Sequence, residues 1–213
     1  MSSLTALFGV IADDVITAQA ELNQLDAVAG DGDLGLTMTT AAEAIKALQP
    51  DLEDLDLAPA LKRCGAELAR KAPSTSGTLL ATALLRAGAA AQQDSAAPAT
   101  PVALLARMVA AAVDGIQQRG KAKPGDKTLL DALVPASEAL RHASDTGGDL
   151  PSALRDAADA AAMGAAETRQ LRPRVGRASW LADRSEGHED AGAHLVALVF
   201  RSAARSHAPA KSD

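Results

Sequence analysis

Aromatic side chains are almost missing from the sequence: there is no tyrosine, and Phe8, Trp180 and Phe200 are the whole complement. Runs of β-branched or aromatic residues with a period of two are also absent, which removes the usual signal for strands. Cysteine occurs once, at Cys64, so an internal disulfide framework is excluded and a reducing compartment fits. Cys64 stands at helical spacing between Leu61 and Leu68 and reads as a small core residue rather than a nucleophile. Positive charge is in deficit: the net charge of −6 argues against broad nucleic-acid binding, which needs a basic face, although a local basic site for phosphates stays open. Long apolar runs are lacking too. The stretch ALLARMVAAAVDGI is interrupted by Arg107 and Asp114 well short of the roughly 20 residues a membrane span requires, so no membrane partner is expected. The N-terminus MSSLTALFGVIADDV has no basic start and meets Asp13 and Asp14 early, unlike a secretory signal, and the expected location is cytoplasmic.

What is present is alanine and leucine at three- and four-residue spacing. Leu4, Leu7, Phe8, Ile11 and Val15 form one helical stripe behind the capping candidates Ser2 and Ser3. Pro59, Pro101 and Pro151 each stand near the start of a helical run, the position proline favours. Further helices are expected after GDGDLG, after PSTSG, from Asp126 of GDKT, and near His188. The expected fold class is all-α, an antiparallel barrel or bundle of about eight helices in one domain spanning residues 1–213. QQDSAAPATP reads as a surface loop and the tail RSHAPAKSD as frayed.

Four Gly-rich or polar loops lie just before or within helix starts: LDAVAGDGDLG, KAPSTSGT, RGKAKPGDKT and GRASWLADRSEGHEDAGA. In the first, Asp26, Asp31 and Asp33 place three hard oxygen donors within eight residues, and Gly30, Gly32 and Gly35 let the backbone bend so that they converge. Such convergence is costly unless a cation neutralises it, which points to Mg²⁺. A calcium-binding EF-hand loop is excluded: counted from Asp31, position 5 is Gly35, position 6 is Leu36 and position 12 is Ala42. The alternative is a turn in which Asp33 caps the next helix. Asp26, at the end of the preceding helix, has no capping task. GKAKPGDKT misses the phosphate-binding GxxxxGK[ST] pattern because Asp126 stands where lysine should be; a Pro124–Gly125 turn followed by an Asp126 cap explains most of it, with Lys127 and Thr128 open. STSGT lacks the flanking glycines of a nucleophile elbow, which leaves Ser76 a poor nucleophile in a plausible anion-binding helix start. His188 and His194, six apart, do not align as metal ligands on one helix face.

In order and spacing, LDAVAGDGDLGLTM, STSGTLLATALLRAG, RGKAKPGDKTLLDALVPA and GRASWLADRSEGHEDAGA resemble the nucleotide-binding (DhaL, or DAK2) family of dihydroxyacetone kinase subunits over nearly the whole chain. The resemblance implies an eight-helix antiparallel barrel holding ADP or ATP in loops at one end through two Mg²⁺ ions. Asp26, Asp31 and Asp33 match the metal-binding carboxylates. Leu34, Gly35, Leu36 and Thr37 match a nucleotide-contacting turn, as do Thr75, Ser76, Gly120, Leu129, Arg177, Asp190, Ala191 and Gly192. The chain departs from the family pattern at Leu34, where a polar residue is common, at PSTSG in place of Gly-Gly-x-Ser-Gly, and at EDAGA in place of Asp-Pro-Gly-Ala; none of these removes a carboxylate. The resemblance further implies phosphoryl transfer to dihydroxyacetone or a related ketose such as erythrulose, carried by a DhaK-type partner subunit. The donor is either free ATP or a phosphotransferase-system protein of the DhaM type that rephosphorylates bound ADP, and a homodimer is expected. A regulatory module contacting a transcription factor is the alternative.

Overall fold

A computed structural model describes residues 3–92 and 100–208. Most of the QQDSAAPATP loop, the end of the tail, Ser2 and the side chains of Ser3 and Arg177 lie outside the described residues. The helices are α1 (Ser3–Thr17), α2 (Gln19–Asp26), α3 (Leu34–Ala47), α4 (Gln49–Leu52), α5 (Leu57–Lys71), α6 (Thr75–Gln92), α7 (Pro101–Gly120), α8 (Leu130–Asp145), α9 (Leu150–Glu167), α10 (Ala182–Ser185) and α11 (Ala191–Ser206). Two 3₁₀ turns, Thr168–Gln170 and Arg177–Leu181, complete the set, and no strand occurs among the described residues. Eight of the helices, all but α2, α4 and α10, run fourteen residues or more. None is long and apolar enough to cross a membrane.

Local chemistry accounts for several helix starts. Thr100 and Asp149 cap α7 and α9 by accepting from the N–H groups of Ala103 and Ser152, with proline in the first turn of each. One start differs from the sequence expectation. Helix α8 begins at Leu130 rather than Asp126, because Gly125 and Lys127 both adopt left-handed backbone angles (φ +90° and +60°) that a helix cannot contain.

The eight long helices close into a ring in which α3, α5, α6, α7, α8, α9, α11 and α1 each pack on the next, and α1 returns to α3. Alanine makes this closure possible. On α9, Ala153, Ala157, Ala161 and Ala165 form a fully buried stripe at i, i+4 spacing, facing Ala132, Ala136 and Leu140 of α8. Small side chains bring the backbones together. One close approach lies where Pro135, inside α8, has no N–H for the Asp131 carbonyl four residues back. Gly164 of α9 fills that place, with its absent Cβ position only 2.1 Å from the Asp131 oxygen. Gly164→Ala should therefore reverse the ordinary gain from Gly→Ala in a helix and cost about 1–3 kcal/mol through backbone displacement. Urea denaturation checks this; a stabilised variant would show that the α8–α9 contact is looser than described.

Candidate functional site

The ring alternates in direction, so one end collects the N-termini of α3, α6, α8 and α11 and the C-termini of α2, α5, α7 and α9. An open cleft of about 700 Å³ lies at this end. Four helix N-termini around one cleft direct their positive dipole ends into it, which favours an anion.

The α2–α3 loop supplies the opposite charge. Asp26 ends α2 and accepts at one carboxylate oxygen, Oδ2, from the N–H of Gly32 (2.9 Å) and of Asp33 (3.1 Å). This folds the loop back on itself, with Gly32 at φ +75° and Gly30 so close that a Cβ there would meet Asp26 Oδ1 at 2.4 Å. Consequently Asp26, Asp31 and Asp33 each bring a carboxylate oxygen within 4.8 Å of the others, the one group of metal-capable side chains found among the described residues. Asp33 occupies the N-cap position of α3, yet its side chain accepts no capping hydrogen bond. The capping alternative therefore does not describe Asp33, and the hard, all-oxygen donor set fits Mg²⁺.

Across the cleft, Ser74 caps α6 by accepting from the Gly77 N–H at 3.0 Å, which places Thr75 and Ser76 in the first turn. Gly77 allows the turn to sit on the Ala72 carbonyl, 2.0 Å from its absent Cβ position. The next wall is the 121–129 loop. Asp131 reaches back from α8 to accept from the N–H groups of Gly125 (2.5 Å) and Thr128 (2.7 Å), while Asp126 accepts from the Lys123 N–H (2.9 Å). Lys127 is buried and donates from Nζ to the carbonyls of Leu171, Ser185 and His188. Asp190 caps α11 through Ala193, and its own N–H donates to Thr168 Oγ1 at 2.9 Å.

Of the residues expected from the sequence, Asp26, Asp31, Asp33, Leu34, Thr37, Thr75, Ser76, Gly120, Leu129, Asp190, Ala191 and Gly192 all line the cleft. Gly35 and Leu36 do not. Gly35 packs against Gln19, whose carbonyl lies 2.0 Å from its absent Cβ position, and Leu36 is exposed. Arg177 lies in a segment whose neighbours Gly176 and Ala178 line the cleft. Lys127, Asp126 and Asp131 form a buried polar wall that a Pro-Gly turn with an Asp126 cap does not anticipate. The Lys127 acceptors lie 44, 58 and 61 residues further along, beyond any local pattern. His188 offers its carbonyl to Lys127, and His194 sits between Glu189 (2.9 Å) and Glu21 (3.4 Å) rather than joining a metal cluster.

Burial pushes the Asp190 carboxyl up from 3.8 to about 6, and the nearby Asp131 charge adds to this; the Ala193 N–H and Lys127 oppose it. A raised carboxyl contributes stability below its unfolded value, and that contribution is lost as pH rises through the folded one. Asp190→Asn keeps a capping oxygen and removes the titration. Relative to the native protein it should gain stability between pH 3.8 and about 6 and level off above, by about 1–3 kcal/mol. Urea denaturation of both metal-free proteins across that range checks it; a difference that falls with pH would contradict the assignment.

A profile of the DAK2 domain family matches residues 28–205. The chain is 36% identical over 189 residues to the Escherichia coli PEP-dependent dihydroxyacetone kinase ADP-binding subunit DhaL, covering 88% of this chain and 89% of that one. It is 40% identical to the D-erythrulose kinase of Mycolicibacterium smegmatis over 92% of its own length but only 34% of that enzyme's. The crystal structure of the dihydroxyacetone kinase from C. freundii in complex with AMP-PNP and Mg²⁺ superposes with a TM-score of 0.74 at 28% identity, over 95% of this chain and 33% of that one. The chain thus spans nearly all of the E. coli subunit and about a third of the two longer kinases. With that match over most of its length and that near full-length relative, the chain belongs to the DAK2 domain family of dihydroxyacetone kinases.

Proposed function

We propose that this chain is the nucleotide-binding subunit of a dihydroxyacetone-type kinase, a single DAK2 domain that transfers a phosphoryl group to a small ketose held by a DhaK-type partner. The observation that carries this reading is the convergence of Asp26, Asp31 and Asp33 within 4.8 Å at the mouth of a cleft ringed by helix N-termini. It is read together with near full-length similarity to an ADP-binding subunit.

Asp26, Asp31 and Asp33 would hold Mg²⁺, two ions in the full reading, and the metal would supply charge neutralisation on the nucleotide phosphates. The residues of the chain do the rest by binding and orienting. The N–H groups and hydroxyls of Thr75 and Ser76 face the phosphates across the cleft, aided by the N-terminus of α11 at Ala191 and Gly192. Leu34, Ile116 and Leu129 form its apolar lining, suited to the base and able to exclude water. Arg177 belongs to this proposal through its place between cleft-lining neighbours. The E. coli relative's PEP dependence supports a phosphotransferase-system donor acting on retained ADP, and the erythrulose kinase relative keeps erythrulose beside dihydroxyacetone as acceptor. Such a kinase subunit would work in the cytoplasm.

Asp31→Ala and Asp33→Ala should each abolish phosphoryl transfer in a coupled assay with the ketose-carrying partner, while circular dichroism remains helical. Near-normal turnover of either would overturn the metal assignment. If ADP·Mg binds only the folded form, a hundredfold excess over Kd should add about 2.7 kcal/mol of stability. Thermal unfolding of nucleotide-free protein measures this, and no shift would contradict the nucleotide site. The chain alone, given ATP·Mg and dihydroxyacetone, should form almost no product until the partner is added; robust activity alone would show that the ketose site lies here.

A further inference from the structure

One cleft wall, between Leu171 and His188, has little apolar packing to hold it: of its described side chains, only Pro173 and Ser185 are buried. Its other ties lie within it or at its two ends. Arg172 pairs with Asp183 inside the segment, while the Gly187 N–H reaches the Arg169 carbonyl and Arg169 pairs with Glu189, joining its two ends.

The anchor comes from the loop before α8. Lys127 is only 4% exposed and adopts φ +60°, an uncommon angle for a residue with a side chain. Its Nζ lies 3.2 Å from the Leu171 carbonyl, 2.6 Å from that of Ser185 and 2.8 Å from that of His188. An ammonium has three donors and no acceptor, so three carbonyls saturate it. Hydrogen bonds from a charged donor are roughly twice as strong as neutral ones. The acceptors stand at both ends of the segment, and the adjoining Asp126 carbonyl takes the Arg174 N–H at 3.1 Å between them. Burial holds the Lys127 amine below the ordinary lysine range, and the charges of Asp190 and Glu186 counter it, so the cation is held by carbonyl dipoles and two nearby acids.

We propose that Lys127 is a positioning residue for the nucleotide site: one ammonium gathers the carbonyls of Leu171, Ser185 and His188 and holds the 171–188 segment in place as the cleft wall. This rests on the nucleotide reading above. Pro173, Val175, Gly176, Ala178 and Trp180 of the segment line the cleft, so its placement sets the shape the nucleotide meets.

Lys127→Met keeps most of the side-chain length and removes all three donors. In nucleotide-free protein, trypsin should cleave this variant at least tenfold faster than the native chain after the exposed Arg174 and Arg184. Cleavage after Arg141 and Arg155, exposed on α8 and α9, should stay unchanged. Its Kd for ADP·Mg, by titration calorimetry, should rise tenfold or more. Native-like resistance at Arg174 and Arg184 would overturn the proposal, as would faster cleavage with unaltered Kd. Lys127→Gln, which retains two donors, serves if the Met variant is not helical; if neither variant folds, Lys127 belongs to the core and the proposal fails. A native protein that binds no ADP·Mg would instead defeat the nucleotide reading, with the cleavage comparison still deciding whether Lys127 holds the segment.

Discussion

Three carboxylates within 4.8 Å repel one another by between about 1 and about 3 kcal/mol per pair, depending on how far water screens them. A chain relaxes such a cluster unless its backbone prevents it. Here the Asp26 side chain accepts two N–H groups from the very loop that carries Asp31 and Asp33, and Gly32 takes the left-handed turn that brings them round. Gly35 then seats α3 against the Gln19 carbonyl, so α2 and α3 are held together on the far side of the loop. The acids are preorganised for a cation by neutral packing and by hydrogen bonds to one of their own number. Asp33 makes no side-chain capping bond to α3 and lines the cleft.

The ring of helices supplies the complement. Because its members alternate in direction, one end gathers four N-termini around the same cleft, and their dipoles favour the anion that a carboxylate-bound cation also attracts. Under the proposed nucleotide reading, opposite requirements are met by two separate devices: acids on a bent loop for the metal, and helix starts for phosphate. The alanine-rich composition serves this arrangement, since stripes such as Ala153 to Ala165 let the helices close tightly enough to bring their ends together.

Buried polar groups, rather than apolar ones, shape the remaining wall. Asp131 and Asp126 tie the loop before α8 to its own backbone, and Lys127 ties it to a segment far along the chain. In a region with so little apolar burial, these bonds decide where the backbone runs, and each would leave an unsatisfied buried group if broken.

The helices were legible because their signals are local. Apolar spacing, the Thr100 and Asp149 caps and the first-turn prolines act within one or two turns, and the all-α set of eight long helices follows from them. The aspartate cluster was legible for the same reason: Asp26, Asp31 and Asp33 lie within one loop, and their glycines announce its bend. Tertiary structure decided what depends on residues distant in the chain. It put Gly35 against α2 instead of in the cleft, moved the start of α8 from Asp126 to Leu130, and turned Lys127 from a turn residue into a buried cation whose acceptors are 44 to 61 positions away. The sequence by itself determined the helices and the clustered acids, since periodicity and charge spacing are short-range. Only the closed ring determined which helix ends meet and which backbone carbonyls face Lys127, because those partners become neighbours only after the chain has packed.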